Sequence, residues 1–360
     1  MRFPQIPNID TAWEEVIIDA LSPSNFSWVN QGCGYQALLN KVLGTFNDKA
    51  LSLPPSKNAL LGTIIHKLYE LTIKGELKSI ADMKERWEEL ITNKKEELST
   101  YYPTLHNASL NDYDKRNCAI RYAMSIMRID HHETCVESKQ KVLSEKWLDC
   151  SKIGLKGKAD KIVLYDGAFD IVDYKSGLVL GDNGTPKKEY CDQLHLYAAM
   201  CQSLSMGFPR NLSLVDINGE YFNIPFSQEY CNQLLSAVKG TLDLLNAAVR
   251  ARDFKPLAKP ELGFCSYCNC RHICKYREIP LDAYYQTIAG TVSATPSTNL
   301  IILQNEGNPI YISGLDIYCV DTLDNYLGKQ LTFVNVIRTS PTTDDYSYKI
   351  TENTLVYELL

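Results

Sequence analysis

The sequence predicts an α/β protein: a helical N-terminal part, a central mixed sheet with helices packed on it, and a small C-terminal all-β domain. Three observations predict this. Two stretches rich in β-branched and apolar residues, 157–165 and 168–175, flank Asp166-Gly167, a strong short hairpin signal. From Val142 to Asp253 the order reads strands, helix, strands, helix, which suits a mixed sheet covered by helices. Beyond 291–299, a Ser/Thr/Pro linker by composition, short β segments separated by turn residues fit a small barrel or sandwich. The expected division is a large domain over 1–280 and a β-barrel-like or sandwich domain over 291–360.

The chain has 360 residues, 45% of them hydrophobic, enough to bury a large core. A formal charge of −6 argues against coating nucleic acid non-specifically, while local basic groups remain: Lys152, Lys156, Lys158 and Lys161, then Arg271, Lys275 and Arg277. Met1 to Asn8 lacks a basic-then-apolar leader pattern, and no apolar run reaches membrane length, so a soluble cytoplasmic protein with no membrane contact is expected. Twelve cysteines without a secretion signal point to metal or cluster binding rather than disulfides.

In chain order, Asn8–Asp19 is amphipathic and reads as a helix, and Ser22-Pro23-Ser24 can cap a second helix over 25–44 that carries Cys33. Pro54-Pro55 separates this from a helix over 56–74, with apolar Leu60, Leu61, Ile64, Ile65, Leu68 and Leu71. Gly62, His66 and Glu70 share one stripe of that helix, the glycine leaving space beside the imidazole. Residues 79–99 form a charged, solvated helix, and 111–142 another long one whose Cys118 and Cys135 read as packing residues. A strand then starts near Val142 and includes Glu145. After the hairpin come a polar loop at 178–188, a helix from about Glu189 to Leu204, two strands over 211–225 and a helix over 227–253. The C-terminal strands are expected at 300–304, 310–312, 330–338, 346–350 and 354–358.

The hairpin carries the chemistry. Asp160 opens its first strand and Asp173 closes its second, so the two acids can sit side by side, and strand alternation turns Lys175 to the face of Asp173. Two carboxylates and an ammonium suit a hard divalent cation and an anionic substrate. Asp-x-Lys on a strand is the core of the PD-(D/E)XK nuclease motif, and Asp173-Tyr174-Lys175-Ser176-Gly177 resembles the form found in RecB-type nucleases. Three further segments share the resemblance. Gly62-Thr63-Ile64-Ile65-His66 looks like the Gly-x-x-x-His helix of that family, which implies His66 as a metal ligand. Gln193 and Tyr197 match its Gln-x-x-x-Tyr motif, implying support for the site and a DNA contact. Glu145 resembles the glutamate often found on the preceding strand; a plain edge-strand charge explains it as well.

Residues 264–277 hold Cys265, Cys268, Cys270, His272 and Cys274. Zinc bound by Cys265, Cys268 and two of Cys270, His272 and Cys274, a metal-free thiol group, and a four-thiolate [4Fe–4S] cluster all compete here. The spacing of Cys265, Cys268 and Cys274 resembles the C-terminal triple of iron–sulfur RecB-type nucleases, such as the AddB-type nuclease domain and the small nucleases of CRISPR adaptation. In that family a fourth ligand follows an upstream Ser-Pro-Ser segment, which implies Cys33; Gly34 stands where the family often has proline, and Cys270 remains an alternative to Cys274.

The resemblance covers 22–277 and implies a PD-(D/E)XK restriction-endonuclease-like core. It implies a Mg²⁺- or Mn²⁺-dependent deoxyribonuclease, an exonuclease acting on single-stranded DNA or DNA ends, in repair, recombination or anti-phage, CRISPR-type DNA processing. His66, Asp160, Asp173 and the Tyr174 carbonyl would hold the cation, with Lys175, Gln193 and Tyr197 beside it. The alternative is a non-catalytic DNA-end-binding scaffold on the same fold. The C-terminal β domain, poor in Lys and Arg, is expected to contact a protein partner or to pack.

Overall fold

The structure is a computed structural model describing residues 3–10, 12–102, 105, 109–133, 141–277, 286–305, 307–315, 322–339 and 346–360. Cys135 and the side chains of His131 and His132 lie outside that description.

The chain opens with strand β1 (Gln5–Ile6), and a single 3₁₀ turn at Ala12–Glu15 stands where the amphipathic pattern predicts a helix. Tertiary partners take that backbone instead. The side-chain amide of Asn246 accepts from Ile18 N–H and donates to its carbonyl, both at 2.9 Å, and Leu21 exchanges backbone hydrogen bonds with Gly154 and Lys156. The helix predicted over 25–44 is two helices, α1 (Pro23–Gln31), capped by the Ser22 hydroxyl, and α2 (Gly34–Gly44). The break falls at Gly32, where a side chain would not fit: a Cβ there would meet the Trp28 carbonyl at 2.3 Å and the Phe264 ring at 3.0 Å. Cys33 follows at the N-cap of α2.

α3 (Lys57–Ile73) is capped by Ser56 and buries its Leu/Ile stripe, and α4 (Ile80–Tyr101) and α5 (Tyr113–Glu133) pack beside it. Next come β2 (Lys141–Cys150), β3 (Leu155–Tyr165) and β4 (Ala168–Lys175). The β3–β4 turn is Asp166-Gly167, where Gly167 takes φ 75°, a left-handed conformation that side chains resist. α6 (Lys188–Ser203) crosses over to β5 (Asn211–Asp216), parallel to β4, and β6 (Tyr221–Ile224) and α7 (Gln228–Ala251) complete the unit. The sheet runs β2-β3-β4-β5-β6, with β2 at an edge. α6 is almost wholly buried, from Asp192 to Cys201. Its Asp192 carboxylate ties three helices together, accepting from Ser27 on α1 at 3.1 Å, from Lys188 at 2.7 Å, and from the Tyr230 hydroxyl on α7.

The stretch at 291–299 is not a linker. It belongs to β7 (Gln286–Ser297), which pairs antiparallel with both β8 (Leu300–Asn305) and β10 (Gln330–Arg338). Its Thr, Val and Ser residues suit a pleated surface, with Ile288 and Val292 buried, so a composition typical of linkers here serves a strand. With β9 (Asn308–Ser313) and β11 (Ser347–Lys349), the pairings β7-β8-β9-β11-β10-β7 close a ring. β12 (Leu355–Leu359) lies along β10, and β1 pairs parallel with β12, so the chain's first strand joins its last. Ile301, Ile312, Leu331 and Phe333 fill one core cluster, while Val334, Leu355 and Tyr357 belong to the core of the larger unit. Among the described residues, no helix is long and apolar enough to cross a membrane.

Candidate active site

In the β3–β4 register Lys161 faces Val172, which sets Asp160 and Asp173 at the next step towards the open end of the hairpin. Both carboxylates are buried. Asp160 accepts the Tyr174 N–H at 2.7 Å through Oδ2 and turns Oδ1 to His66 Nδ1 on α3, 3.2 Å away. Glu145 Oε1 lies 3.8 Å from the same nitrogen. Glu145 interrupts β2 with φ 51°, a conformation uncommon for a side-chain-bearing residue, and its other oxygen pairs with Lys158.

Asp173 belongs to a second group. Its Oδ1 accepts from Gln193 Nε2 at 2.7 Å, and Lys175 Nζ stands 2.7 Å from Oδ2, outside hydrogen-bonding alignment, so that oxygen is charge-paired with lone pairs left over. Lys175 also donates to Gln193 Oε1 at 2.8 Å and lies 4.4 Å from the centre of the Tyr190 ring. Tyr197, one turn after Gln193, donates its hydroxyl to the Lys158 carbonyl at 2.7 Å and so pins β3. Its role here is to position backbone, and the hydroxyl is taken.

Burial pushes the Asp173 carboxyl up to about 6, against the pull of Lys175, with Asp160 adding to the rise. Burial opposes a charge on His66, but the Asp160 and Glu145 carboxylates outweigh it and raise the imidazole to about 10. Asp160 is desolvated as well, yet His66 and the Tyr174 amide hold its pKa below the usual carboxylate value. Lys175 loses hydration and is still raised, because Asp173 and Asp160 face it. Neutralising pairs of this kind are what buried charges require.

The donor atoms of His66, Glu145 and Asp160 lie within 4.8 Å of one another, close enough for one cation. An imidazole nitrogen with two carboxylates suits a divalent ion of intermediate hardness. Asp173 is not part of this trio but lines one opening with His66 and Asp160, and Tyr174 meets Asp160 through its amide. Gly62 does leave space, but against Ser176 rather than the imidazole: a Cβ would come 2.9 Å from the Ser176 hydroxyl. The site opens into a cleft of about 820 Å³ lined by Asn25, Lys67, Lys94 and Lys158, among others. A second opening of about 510 Å³ runs over Trp147, Lys156, Lys175, Tyr190 and Gln193. Trp147 escaped the sequence reading, and Lys158 and Ser176 entered it only as part of a basic group and of the motif, with no role of their own. Lys158 stands two residues before Asp160 on the same strand face, a signal that alternation alone offers.

Cys33, Cys265, Cys268 and Cys274 line one small cavity with Tyr35, Phe264, Arg271 and Arg277. Cys270 does not line it; it is fully buried against Asn40, with Sγ 3.2 Å from Oδ1. His272 donates Nε2–H to the Leu51 carbonyl at 2.8 Å and lies on Tyr357, so its ring is engaged elsewhere. Burial raises the Cys274 thiol to about 11, so it stays protonated until a ligand displaces the proton. Four thiols sharing a cavity with two half-buried guanidiniums fit an anionic thiolate-bound cluster.

A family model described as the PD-(D/E)XK nuclease superfamily matches residues 20–275. Among solved structures, a candidate exonuclease from Eubacterium rectale is 15% identical over 76% of this chain and 94% of its own, with a TM-score of 0.40. The protein SSO0001 is 14% identical over 51% of this chain and 82% of its own, with a TM-score of 0.22. No curated protein matches the chain.

Proposed function

The chain belongs to the PD-(D/E)XK nuclease superfamily, and from that premise we propose a divalent-metal-dependent deoxyribonuclease of the iron–sulfur RecB type, acting on single-stranded DNA or DNA ends. The supporting observation is the convergence of His66, Glu145 and Asp160 within 4.8 Å, with the Lys175 ammonium close behind on Asp173.

His66, Glu145 and Asp160 hold the cation in this reading, and Asp173 completes the charge of the site. The imidazole favours Mn²⁺ over Mg²⁺, which prefers all-oxygen ligands. Bound there, such an ion supplies Lewis acidity towards the scissile phosphate and makes water a stronger acid. Lys175, held on two sides by Asp173 and Gln193, orients the attacking water and offsets the negative charge that grows on the phosphoryl oxygens. Gln193 keeps Asp173 and Lys175 in register. Tyr197 fixes the Lys158 carbonyl and thereby the start of the strand that carries Asp160. Lys158 and Lys156 line the cleft where a phosphate backbone would run.

Cys33, Cys265, Cys268 and Cys274 would hold a [4Fe–4S] cluster that staples α2 to the C-terminal loop. Its role is structural, since it lies away from the residues that face the cleft.

The test is digestion of end-labelled single-stranded and duplex DNA with Mn²⁺ or with EDTA. Metal-dependent cleavage by wild type, and none by Lys175→Ala, is the expected result. Cleavage at the wild-type rate by Lys175→Ala rejects the assignment, and DNA-end binding without any cleavage favours the scaffold.

A further inference from the structure

We infer that Trp147 is a base-stacking platform at the mouth of the active site, which selects unpaired over base-paired DNA. The inference rests on the nuclease reading above and names the substrate class of the same site.

Trp147 stands apart from the other tryptophans. Trp13 and Trp87 are each 3% exposed, and Trp28 is partly buried against Phe264 and donates its indole N–H to Gln36. Trp147 is 58% exposed, although it sits in the middle of a strand. A ring of that size left in water on a cleft wall is an unspent contact surface.

Its place follows from register. Trp147 faces Lys158 across β2–β3, and Asp149 faces Lys156 one step further out. Asp160 shares the face of Lys158, two residues along β3, Glu145 reaches Lys158 from β2, and Trp147, Lys158 and Asp160 line one opening. Trp147 therefore lies about 7 Å along the strand from the carboxylates, two residues at ~3.4 Å each. Together with Asp173, Lys175, Tyr190 and Gln193 it lines one opening.

The chemistry beside it suits a polynucleotide. Lys158 is held by Glu145 and Lys156 by Asp19, so both ammonium groups are fixed along the floor while half or a third of each side chain stays exposed. An aromatic plate between lysines, ending at a cation site, is what a single strand uses: phosphates follow the ammonium groups and one base stacks on the ring. In a duplex the base faces are covered by their neighbours, so the plate gains nothing from it.

The test pairs fluorescence with kinetics, on wild type, Trp147→Ala and Trp147→Phe. In EDTA, a short oligothymidine is expected to quench wild-type emission saturably. Trp147→Ala should lose that quench and bind about tenfold more weakly. In Mn²⁺, Trp147→Ala should raise KM for the single strand by a similar factor with kcat unchanged and leave KM for a blunt hairpin duplex as it was. Trp147→Phe should return KM close to wild type. Unchanged KM in Trp147→Ala, an equal loss on both substrates, or no rescue by phenylalanine overturns the inference. A wild-type protein that cuts neither DNA, yet shows the quench, refutes the nuclease reading and leaves the platform standing.

Discussion

The carboxylate–imidazole centre and the cysteine cavity are built within one domain on opposite plans. In the first, every buried charge already has a partner: Asp160 has His66 and the Tyr174 amide, Asp173 has Gln193 and Lys175, and Glu145 has Lys158. In the second, four thiols share a small cavity with two arginines, whose guanidiniums also bind the strands beyond. Arg271 donates to Asn335 on β10 at 2.9 Å, and Arg277 to the Thr287 carbonyl on β7. A carboxylate cannot be buried without a partner, so the first site must be fully formed by the fold itself. Thiols can be buried protonated, so the second can close first and exchange protons for metal afterwards. Catalysis and stability should therefore fail separately.

The largest effect is expected from Lys175→Ala. It removes the ammonium paired with Asp173, which in the proposed mechanism also faces the scissile phosphate, and cleavage should drop by about 10³-fold or more. Iron content and visible absorbance should match wild type; loss of colour in this variant would show that the two sites are not independent.

Cys274→Ser attacks the other plan. The proposed cluster would cross-link residue 33 to the 265–274 loop across most of the domain, and in the disulfide model such a span is worth on the order of 4–5 kcal/mol. The variant should lose iron and melt well below wild type, whereas Cys270→Ser, whose sulfur meets Asn40 instead of the cavity, should keep its iron. Iron retained by Cys274→Ser and lost by Cys270→Ser would exchange the two assignments.

Gln193→Ala tests how much preorganisation matters. The amide bridges Asp173 and Lys175 by two hydrogen bonds of 2.7 and 2.8 Å. Its loss should lower kcat roughly 10- to 100-fold, the range for a partner one step behind the liganding atoms. A fall in melting temperature without a change in kcat would make it structural only.

Much of this arrangement could be read from the chain because its parts are local. The hairpin, its Asp-Gly turn and the residue pairs along it follow from alternation, and the α3 stripe and the Ser56 cap follow from helical period. The C-terminal strands stand close to where β-branched runs between turn residues put them. What eluded the sequence depends on distant partners. β1 is two residues long and exists because β12 lies beside it. The break at Gly32 lies against Phe264, and β7 is a strand because β8 and β10 flank a Ser/Thr/Pro stretch. The same division runs through the site. Asp173, Lys175, Gln193 and Tyr197 fall within one strand–loop–helix segment, so spacing alone relates them. Glu145 stayed ambiguous because its direction depends on a φ of 51° that no local pattern announces, and Trp147 is found only once β2 is in register with β3.

The smallest effect belongs to Tyr197→Phe, and it separates positioning from chemistry most finely. The substitution keeps the ring, which is buried against the core, and removes one hydroxyl 2.7 Å from the Lys158 carbonyl. Losing one part-buried hydrogen bond costs about 0.5–1.5 kcal/mol, so melting should fall by a few degrees at most. If Tyr197 only pins β3, the defect appears as weaker Mn²⁺ half-saturation, because Asp160 lies two residues beyond the released carbonyl, and saturating Mn²⁺ restores kcat. If the phenol took part in the reaction, kcat would stay low at every Mn²⁺ concentration. The metal titration thus distinguishes a residue that holds the strand from one that meets the substrate.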